Sequence, residues 1–235
     1  MIFFTSDLHL GHDNIIDYCD RPFYDVARYE EPWGSNELMR FVEYSRLEDM
    51  NDSLVNNWND VVGVDDTVYV LGDVAMGKIA ETLPIVSRMN GTKFLIPGNH
   101  DRCWFGGKKD HAKWVEKYEA VGFTILGNSV DDGCGQVSLS HLFEDLTWIN
   151  GVDACHFPFT GDSHEQDRYS AYRPVDRGQY LLHGHTHSSN VRSVNSRGEL
   201  TREIHVGVDS WKYRPVSIEQ IKMIMSADLL AYNVV

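Results

Sequence analysis

Seven short apolar segments set the limits on how this chain folds: residues 2–5 (IFFT), 67–72 (TVYVLG), 93–98 (KFLIPG), 136–140 (QVSLS), 152–156 (VDACH), 180–184 (YLLHG) and 202–207 (REIHVG). Their length, their β-branched and aromatic content and the Gly, Pro, Asp and Asn around them are the pattern of buried strands. Between them run helix-like stretches. Residues 35–58 open on a Ser or Asn cap candidate and include Leu38, Phe41, Val42 and Leu54 among their apolar positions. Residues 78–91 and 110–122 each close on a glycine, which takes the left-handed turn past a helix end most easily. Pro84 must kink the first of these or mark its first turn. Residues 217–230 start with Ser217 and carry Gln220 three positions on, a capping box. Strands alternating with helices, then mostly strands, predict an α/β layered fold. No repeat, low-complexity tract or linker divides the chain, so its 235 residues read as one domain, 1–235. The polar, turn-rich stretch 157–179 reads as a loop over the site.

Five of the apolar segments deliver a polar residue where they stop: Asp7-Leu8-His9, Gly72-Asp73, Gly98-Asn99-His100-Asp101, His156, and His183-Gly184-His185-Thr186-His187. In open α/β sheets, ligand sites form beyond the carboxyl ends of strands. Carboxylates, an amide oxygen and imidazoles without thiolates are the donor set of a divalent metal site. Residues two apart on an extended chain point the same way, so Asp7 with His9, and His185 with His187, are expected to face one cavity. His183 then points away, into the core or behind a ligand. Glycines 72, 98 and 184 free the backbone to turn sharply. Each piece alone has a plainer reading. Asp7 and Gly72-Asp73 suit turns, Asn99-His100-Asp101 suits a helix cap, and His156 suits a hydrogen-bonded core histidine. Their joint occurrence, in this order, argues for one site.

In that order these residues resemble the motif set of the calcineurin-like metallophosphoesterases, over residues 2 to about 220. The stretches FTSDLHLGHDNII and HVGVDSWKYRPVSIEQI resemble a compact microbial and phage branch of the family. The resemblance implies a four-layer α/β/β/α sandwich holding two divalent metal ions. It implies Asp7, His9 and His187 on one ion, Asn99, His156 and His185 on the other, and Asp73 bridging both. It makes His100 the non-ligand histidine beside the leaving group. Phosphoprotein phosphatases of the superfamily continue the second motif as Gly-Asp-x-x-Asp-Arg-Gly. Here Met76 replaces the aspartate that pairs with the catalytic histidine, and the arginine is missing. A phosphoprotein phosphatase is therefore disfavoured, and His100 lacks its usual partner. Asp101 is adjacent, but neighbouring side chains on an extended chain diverge, so it is expected to cap or support instead.

Two dications roughly 3.5–4 Å apart lower the pKa of a bridging water and neutralise charge on a phosphoryl group. The implied reaction is in-line attack by that metal-bridging hydroxide, with His100 as general acid and Asp73 holding the pair of ions. The expected enzyme is a metal-dependent phosphodiesterase acting on small, nucleotide-type phosphodiesters, with 2′,3′- or 3′,5′-cyclic nucleotides as candidates. Manganese heads the candidate ions, with iron, zinc, nickel or cobalt behind it. The rival readings are a nuclease on DNA or RNA strands, a phosphomonoesterase, and a metal-binding module without activity. A net charge of −14 weighs against the strand reading and against a stable nucleic-acid complex, although residues 106–109 (GGKK) with Arg102 offer a small basic groove. Substrate contacts are expected from Asn99, His100, His12 and Arg21, with Arg168 and Arg173 as weaker candidates. Phe157, Phe159, Tyr169 and Tyr172 stack on a base or simply pack. Asp209 reads as a turn residue, and His141, His164 and His205 as off-site. No apolar run suits a membrane span, and the start lacks the basic region of a secretory signal. The four cysteines, Cys19, Cys103, Cys134 and Cys155, form no C-x-x-C pair and suit a reducing cytoplasm.

Overall fold

A computed structural model describes residues 1–23, 36–107, 110–127, 135–162, 166–195 and 197–232, with backbone alone for 36–45 and 230–232. The first half of the chain supplies β1 (Ile2–Thr5), α1 (Asn14–Tyr18), α2 (Asn36–Asn59), β2 (Thr67–Val70), α3 (Ile79–Thr82), β3 (Thr92–Leu95), α4 (His111–Ala120) and β4 (Phe123–Ile125). The second half supplies β5 (Val137–Ser138), β6 (Val152–Ala154), β7 (Tyr180–His183), β8 (Arg192–Val194), β9 (Leu200–His205), β10 (Val216–Ser217) and α5 (Ile218–Tyr232). They form two five-stranded sheets, in the orders β10-β1-β2-β3-β4 and β5-β6-β7-β9-β8. Strands β1 to β4 run parallel, as do β6, β7 and β9, so the carboxyl ends that carry the polar motifs face one way within each sheet.

Alternation along the strands decides what each face meets, because successive side chains point to opposite sides of a sheet. Phe3, Val68, Val70 and Leu95 join Met50, Leu54 and Trp58 of α2 and Tyr118 of α4 in one core. Their neighbours Phe4, Tyr69 and Leu71 turn the other way, against Val152, Ala154, Leu182 and Ile204 of the second sheet. Ile218, Ile221 and Met225 of α5 fill the same inter-sheet core. On the far side of the second sheet, Leu181 and Cys155 lie under Trp104 and Phe157, with Tyr169 and Tyr172 packed against them. This is a mixed α/β fold of two sheets flanked by helices, the class expected from the sequence. Trp58 anchors the helical side, buried and donating its indole N–H to the Asn90 carbonyl at 3.0 Å. Truncation of such a residue to alanine costs about 3–5 kcal/mol.

The Ser217–Gln220 capping box forms: the Ser217 N–H donates to Gln220 Oε1 at 3.0 Å and the Gln220 N–H to Ser217 Oγ at 3.3 Å. The stretch 78–91 is no single helix. The α-helix ends at Thr82 and a 3-10 helix, Leu83–Arg88, continues with Pro84 in its first turn, where the missing N–H costs nothing. Strands β4, β8 and β10 have two or three residues each, too few to show a period in the sequence. Ser35, Lys108, Lys109, Cys134 and His164 lie outside the described residues, as do the side chains of Leu38, Phe41 and Val42. Among the described residues, no helix is long and apolar enough to cross a membrane.

Candidate metal centre

Past the strand ends the backbone stays zipped. The Asp7 N–H donates to the Gly72 carbonyl, the His9 N–H to the Asp73 carbonyl and the Leu10 N–H to the Val74 carbonyl, each at 3.0 Å. The chain is not extended here, as the sequence argument assumed. Asp7, His9, Asp73, His185 and His187 have φ values of 57°, 52°, 56°, 70° and 50°, in the left-handed region that non-glycine residues seldom adopt. Concentrated strain of this kind marks functional sites. Convergence therefore comes from tight left-handed turns rather than from strand pleat. Glycines supply the clearance: a Cβ on Gly184 would come within 2.6 Å of Asp7 Oδ2, and one on Gly98 within 2.7 Å of the His156 ring.

Two sets of donors gather. Ligand atoms of Asp7, His9 and His187 lie within 4.8 Å of one another, and so do those of Asp7, Asp73 and His156. Asp73 Oδ2 is 3.5 Å from His156 Nε2 of its own set and 3.5 Å from His9 Nε2 of the other. Asn99 Oδ1 is 3.0 Å from both His156 Nε2 and His185 Nδ1. The donor chemistry fits a cation. The Nδ1 of His156 is 2.7 Å from the Leu71 carbonyl, an acceptor, so the proton belongs on Nδ1 and Nε2 carries a lone pair. That lone pair faces an amide oxygen and a carboxylate, so acceptors meet acceptors in a buried space. His9 Nε2 is likewise buried with no hydrogen-bond partner. A divalent ion between such groups removes the repulsion.

Charge agrees with this at His9, His185 and Asp7. Burial holds His9 well below the ordinary imidazole range, with His187 and Arg21 adding to the effect. Burial, then His156, takes His185 down to about 3. Both are neutral at pH 7, as a ligand must be. Burial by itself raises Asp7, but the neighbouring His187, His156 and His205 and the Ser6 hydroxyl outweigh it and hold the carboxylate ionised. His187 behaves differently. Burial lowers it, yet its bond to Asp209 and the proximity of Asp7 push it well above its usual value. Loading a cation there must expel a proton.

Several residues have other roles than the sequence suggested. Arg21, expected at the substrate, is fully buried, and all its N–H donors are used inside the protein. They go to both Asp209 oxygens (2.9 and 3.1 Å), the Asp7 carbonyl (2.8 Å), the Leu8 carbonyl (3.1 Å) and Met50 Sδ (3.7 Å). It braces the turn that carries Asp7 and offers nothing to phosphate. Asp209 is no mere turn residue: its Oδ2 accepts from His187 Nδ1 at 3.0 Å, which leaves Nε2 as the free end of that ring. Only their distance in sequence hid this pair. Cys19 Sγ lies beside His187 and Asp209, a thiol next to the donor set that the sequence had treated as thiolate-free. His205 is closer than expected, its Nε2 3.9 Å from Asp7 Oδ2 and its Nδ1 2.6 Å from Ser210 Oγ. His183 is buried behind the site and hydrogen-bonds the Gly184 carbonyl at 2.9 Å. His141 is exposed.

Asp101 supports the site from below. Its carboxylate accepts the N–H groups of Asp73, Val74 and Gly98 and the Tyr118 hydroxyl. Met76, where a partner for His100 was sought, instead touches His9, with Sδ 3.1 Å from Nδ1. The His100 N–H donates to Asp73 Oδ1 at 2.9 Å, and its exposed ring stands 5.4 Å from that of His9. Among the described residues no carboxylate orients that ring. His100 and Asn99 line a cavity of about 330 Å³ with Met76, Gly77, Ile79 and Arg102. His12 flanks it less closely, its ring 5.4 Å from His9. Arg173 is tied to Asp167 and the Pro158 carbonyl, and Arg168 to Asp162. Phe157, Tyr169 and Tyr172 pack with Trp104.

The sequence profile of the calcineurin-like phosphoesterases matches residues 1–189, which include all the residues of both donor sets. The gene 66 protein of Mycobacterium phage L5 is 31% identical over 221 residues, 93% of this chain and 90% of its own length. An uncharacterized protein of Methanocaldococcus jannaschii is 26% identical, over 94% of this chain and 88% of its own. The crystal structure of a protein of unknown function from Aquifex aeolicus shares the fold, with a TM-score of 0.57 at 19% identity, over 95% of this chain and 98% of that one.

Proposed function

The chain belongs to the calcineurin-like phosphoesterases and is a metal-dependent phosphoric ester hydrolase; from that premise we propose that it is a dinuclear phosphodiesterase for small, nucleotide-type diesters. Asp7, His9 and His187 would hold one divalent ion and Asn99, His156 and His185 the other, with Asp73 within reach of both. The observation that carries this is the placing of Asp73 Oδ2 at 3.5 Å from one imidazole of each set. Bound divalent ions supply Lewis acidity, bringing the pKa of water toward neutrality and offsetting phosphoryl charge. Manganese is the first ion to try, because oxygen and imidazole donors dominate.

The protein's own groups do the rest. Asn99, on the cavity wall, would orient the phosphoryl end of the substrate, and the His100 N–H keeps Asp73 in place. The His100 ring stands at the mouth of the cavity, where it protonates the departing alkoxide. About 330 Å³ is small for a ligand pocket, and its Met76 and Ile79 wall suits a sugar or base edge rather than a long strand. A net charge of −14 likewise gives polynucleotides no broad cationic track. Cys19, Cys103 and Cys155 are in no disulfide, which suits work in the cytoplasm.

The test is to strip the protein of metal, reload it ion by ion, and assay aryl mono- and diesters, 2′,3′- and 3′,5′-cyclic nucleotides and oligonucleotides. Preference for diesters and cyclic nucleotides supports the proposal. Preference for monoesters overturns it, and so does an oligonucleotide activity that falls steeply with salt. His100→Ala is expected to slow esters of poor leaving groups by about 10²–10⁴-fold while sparing activated aryl esters. Equal loss on both removes His100 as the acid.

A further inference from the structure

The loop between β6 and β7 reaches one of the second ion's ligands with a side chain outside the family-like motif set. Asp162, with its side chain 1% exposed, places Oδ1 3.4 Å from His185 Nε2. Arg168 grips the same carboxylate from behind. Its backbone N–H donates to Oδ2 at 3.1 Å and its Nη2 to Oδ1 at 3.0 Å. Arg173 lies 3.9 Å away. The Tyr169 ring stands 5.4 Å from that of His185, edge to face, with Phe157 on the same imidazole at 4.9 Å.

One ambiguity at the ligands is resolved by these contacts. His185 turns Nδ1 toward Asn99 Oδ1, so holding an ion there requires the lone pair on Nδ1 and the proton on Nε2. Nε2 is buried and has no well-aligned hydrogen bond, and Asp162 is the carboxylate beside it. Arg168 donates to both Asp162 oxygens and so holds that carboxylate in place against the imidazole. A carboxylate behind a ligating imidazole fixes its tautomer and rotation and raises its basicity.

We propose that Asp162 is a positioning residue for the second metal ion, acting by fixing the tautomer and rotation of His185. This rests on the dinuclear reading above. It makes the loop a determinant of second-site occupancy, and so of whether the enzyme is complete.

The experiment is calorimetric titration of the metal-stripped full chain with Mn²⁺, alongside electron paramagnetic resonance for the spin-coupled pair. The native protein is expected to bind two ions in separable steps. Asp162→Ala is expected to weaken one step by about 10–100-fold and leave the other nearly unchanged. The coupled signal should then appear only at higher Mn²⁺. Asp162→Glu, which keeps a carboxylate, should retain more affinity than Asp162→Ala. Wild-type affinity at both steps in Asp162→Ala overturns the proposal. So does a lowered melting temperature of the metal-free variants with both affinities unchanged, the mark of a structural role. A single step in the native protein defeats the dinuclear reading itself, and this inference with it.

Discussion

Replacing Asp101 by asparagine removes one charge and little else, and the structure lets the consequence be worked out bond by bond. The carboxylate is buried, and each of its oxygens serves two donors. Oδ2 accepts the N–H groups of Asp73 at 2.8 Å and Gly98 at 2.9 Å, while Oδ1 accepts the Val74 N–H at 3.0 Å and the Tyr118 hydroxyl at 3.2 Å. Asparagine keeps one oxygen. Its best orientation leaves that oxygen with Asp73 and Gly98 and turns the NH2 toward Val74 and Tyr118. The Tyr118 hydroxyl can rotate and accept, but the Val74 N–H cannot, and it is left facing another donor. An orphaned buried N–H costs about 1–3 kcal/mol, and two charge-assisted bonds reduced to neutral ones cost roughly 1 kcal/mol each. Relief of the repulsion from Asp73 offsets part of this, so a net loss of about 2–4 kcal/mol is expected in urea denaturation of the metal-free protein at pH 7. Burial and the Asp73 charge push Asp101 up to about 6 from 3.8, against the pull of its N–H donors. A raised native pKa means that the folded state holds the proton more tightly. The native protein should therefore lose stability as pH rises from about 4 to 6, a slope the variant lacks. The difference between the two should shrink across that window. A loss below about 1 kcal/mol at pH 7 would refute the four-donor argument.

Asp209→Ala leaves Arg21 buried without its carboxylate and is expected to destabilise the protein by about 3–5 kcal/mol; a denaturation midpoint close to that of the native protein would show that Arg21 does not depend on it. Gly184→Ala puts a methyl 2.6 Å from Asp7 Oδ2, and closer still to Ser6 Oγ, so the turn must shift. It should abolish tight binding of the ion held by Asp7, and native metal content after gel filtration would contradict this. Because Asp209 and Asp7 keep His187 protonated at pH 7 in the metal-free protein, loading the ion held by Asp7, His9 and His187 should release close to one proton. Titrations in buffers of different ionisation heat measure that number, and affinity should climb with pH until His187 deprotonates by itself. Proton release near zero would mean that the imidazole was neutral from the start.

The donor types and their order were legible because metal ligation depends on a few polar side chains, and each lies directly after an apolar strand segment. The alternation that separates Phe3 from Phe4, and Tyr69 from Val70, follows from extended-chain geometry, but in a uniformly apolar run only the packed sheets show which face each takes. The turns themselves were not legible. Left-handed backbone at Asp7, His9 and His187 is held by bonds to other segments, such as the Asp7 N–H on the Gly72 carbonyl, which no local pattern encodes. Arg21 was misread for the same reason: an arginine after Asp20 looks available to a phosphate until Asp209, 188 positions later, takes up its guanidinium. Asp101 and Asp162 likewise meet partners distant in the chain, Asp73 and His185.

What the sequence by itself determined is which chemistry this protein is equipped for, because ligand identity is a property of single residues. What only the tertiary structure decided is which groups stand behind those ligands and fix their protons and rotations. That depends on burial and on long-range hydrogen bonds, which exist only once the two sheets have closed on each other.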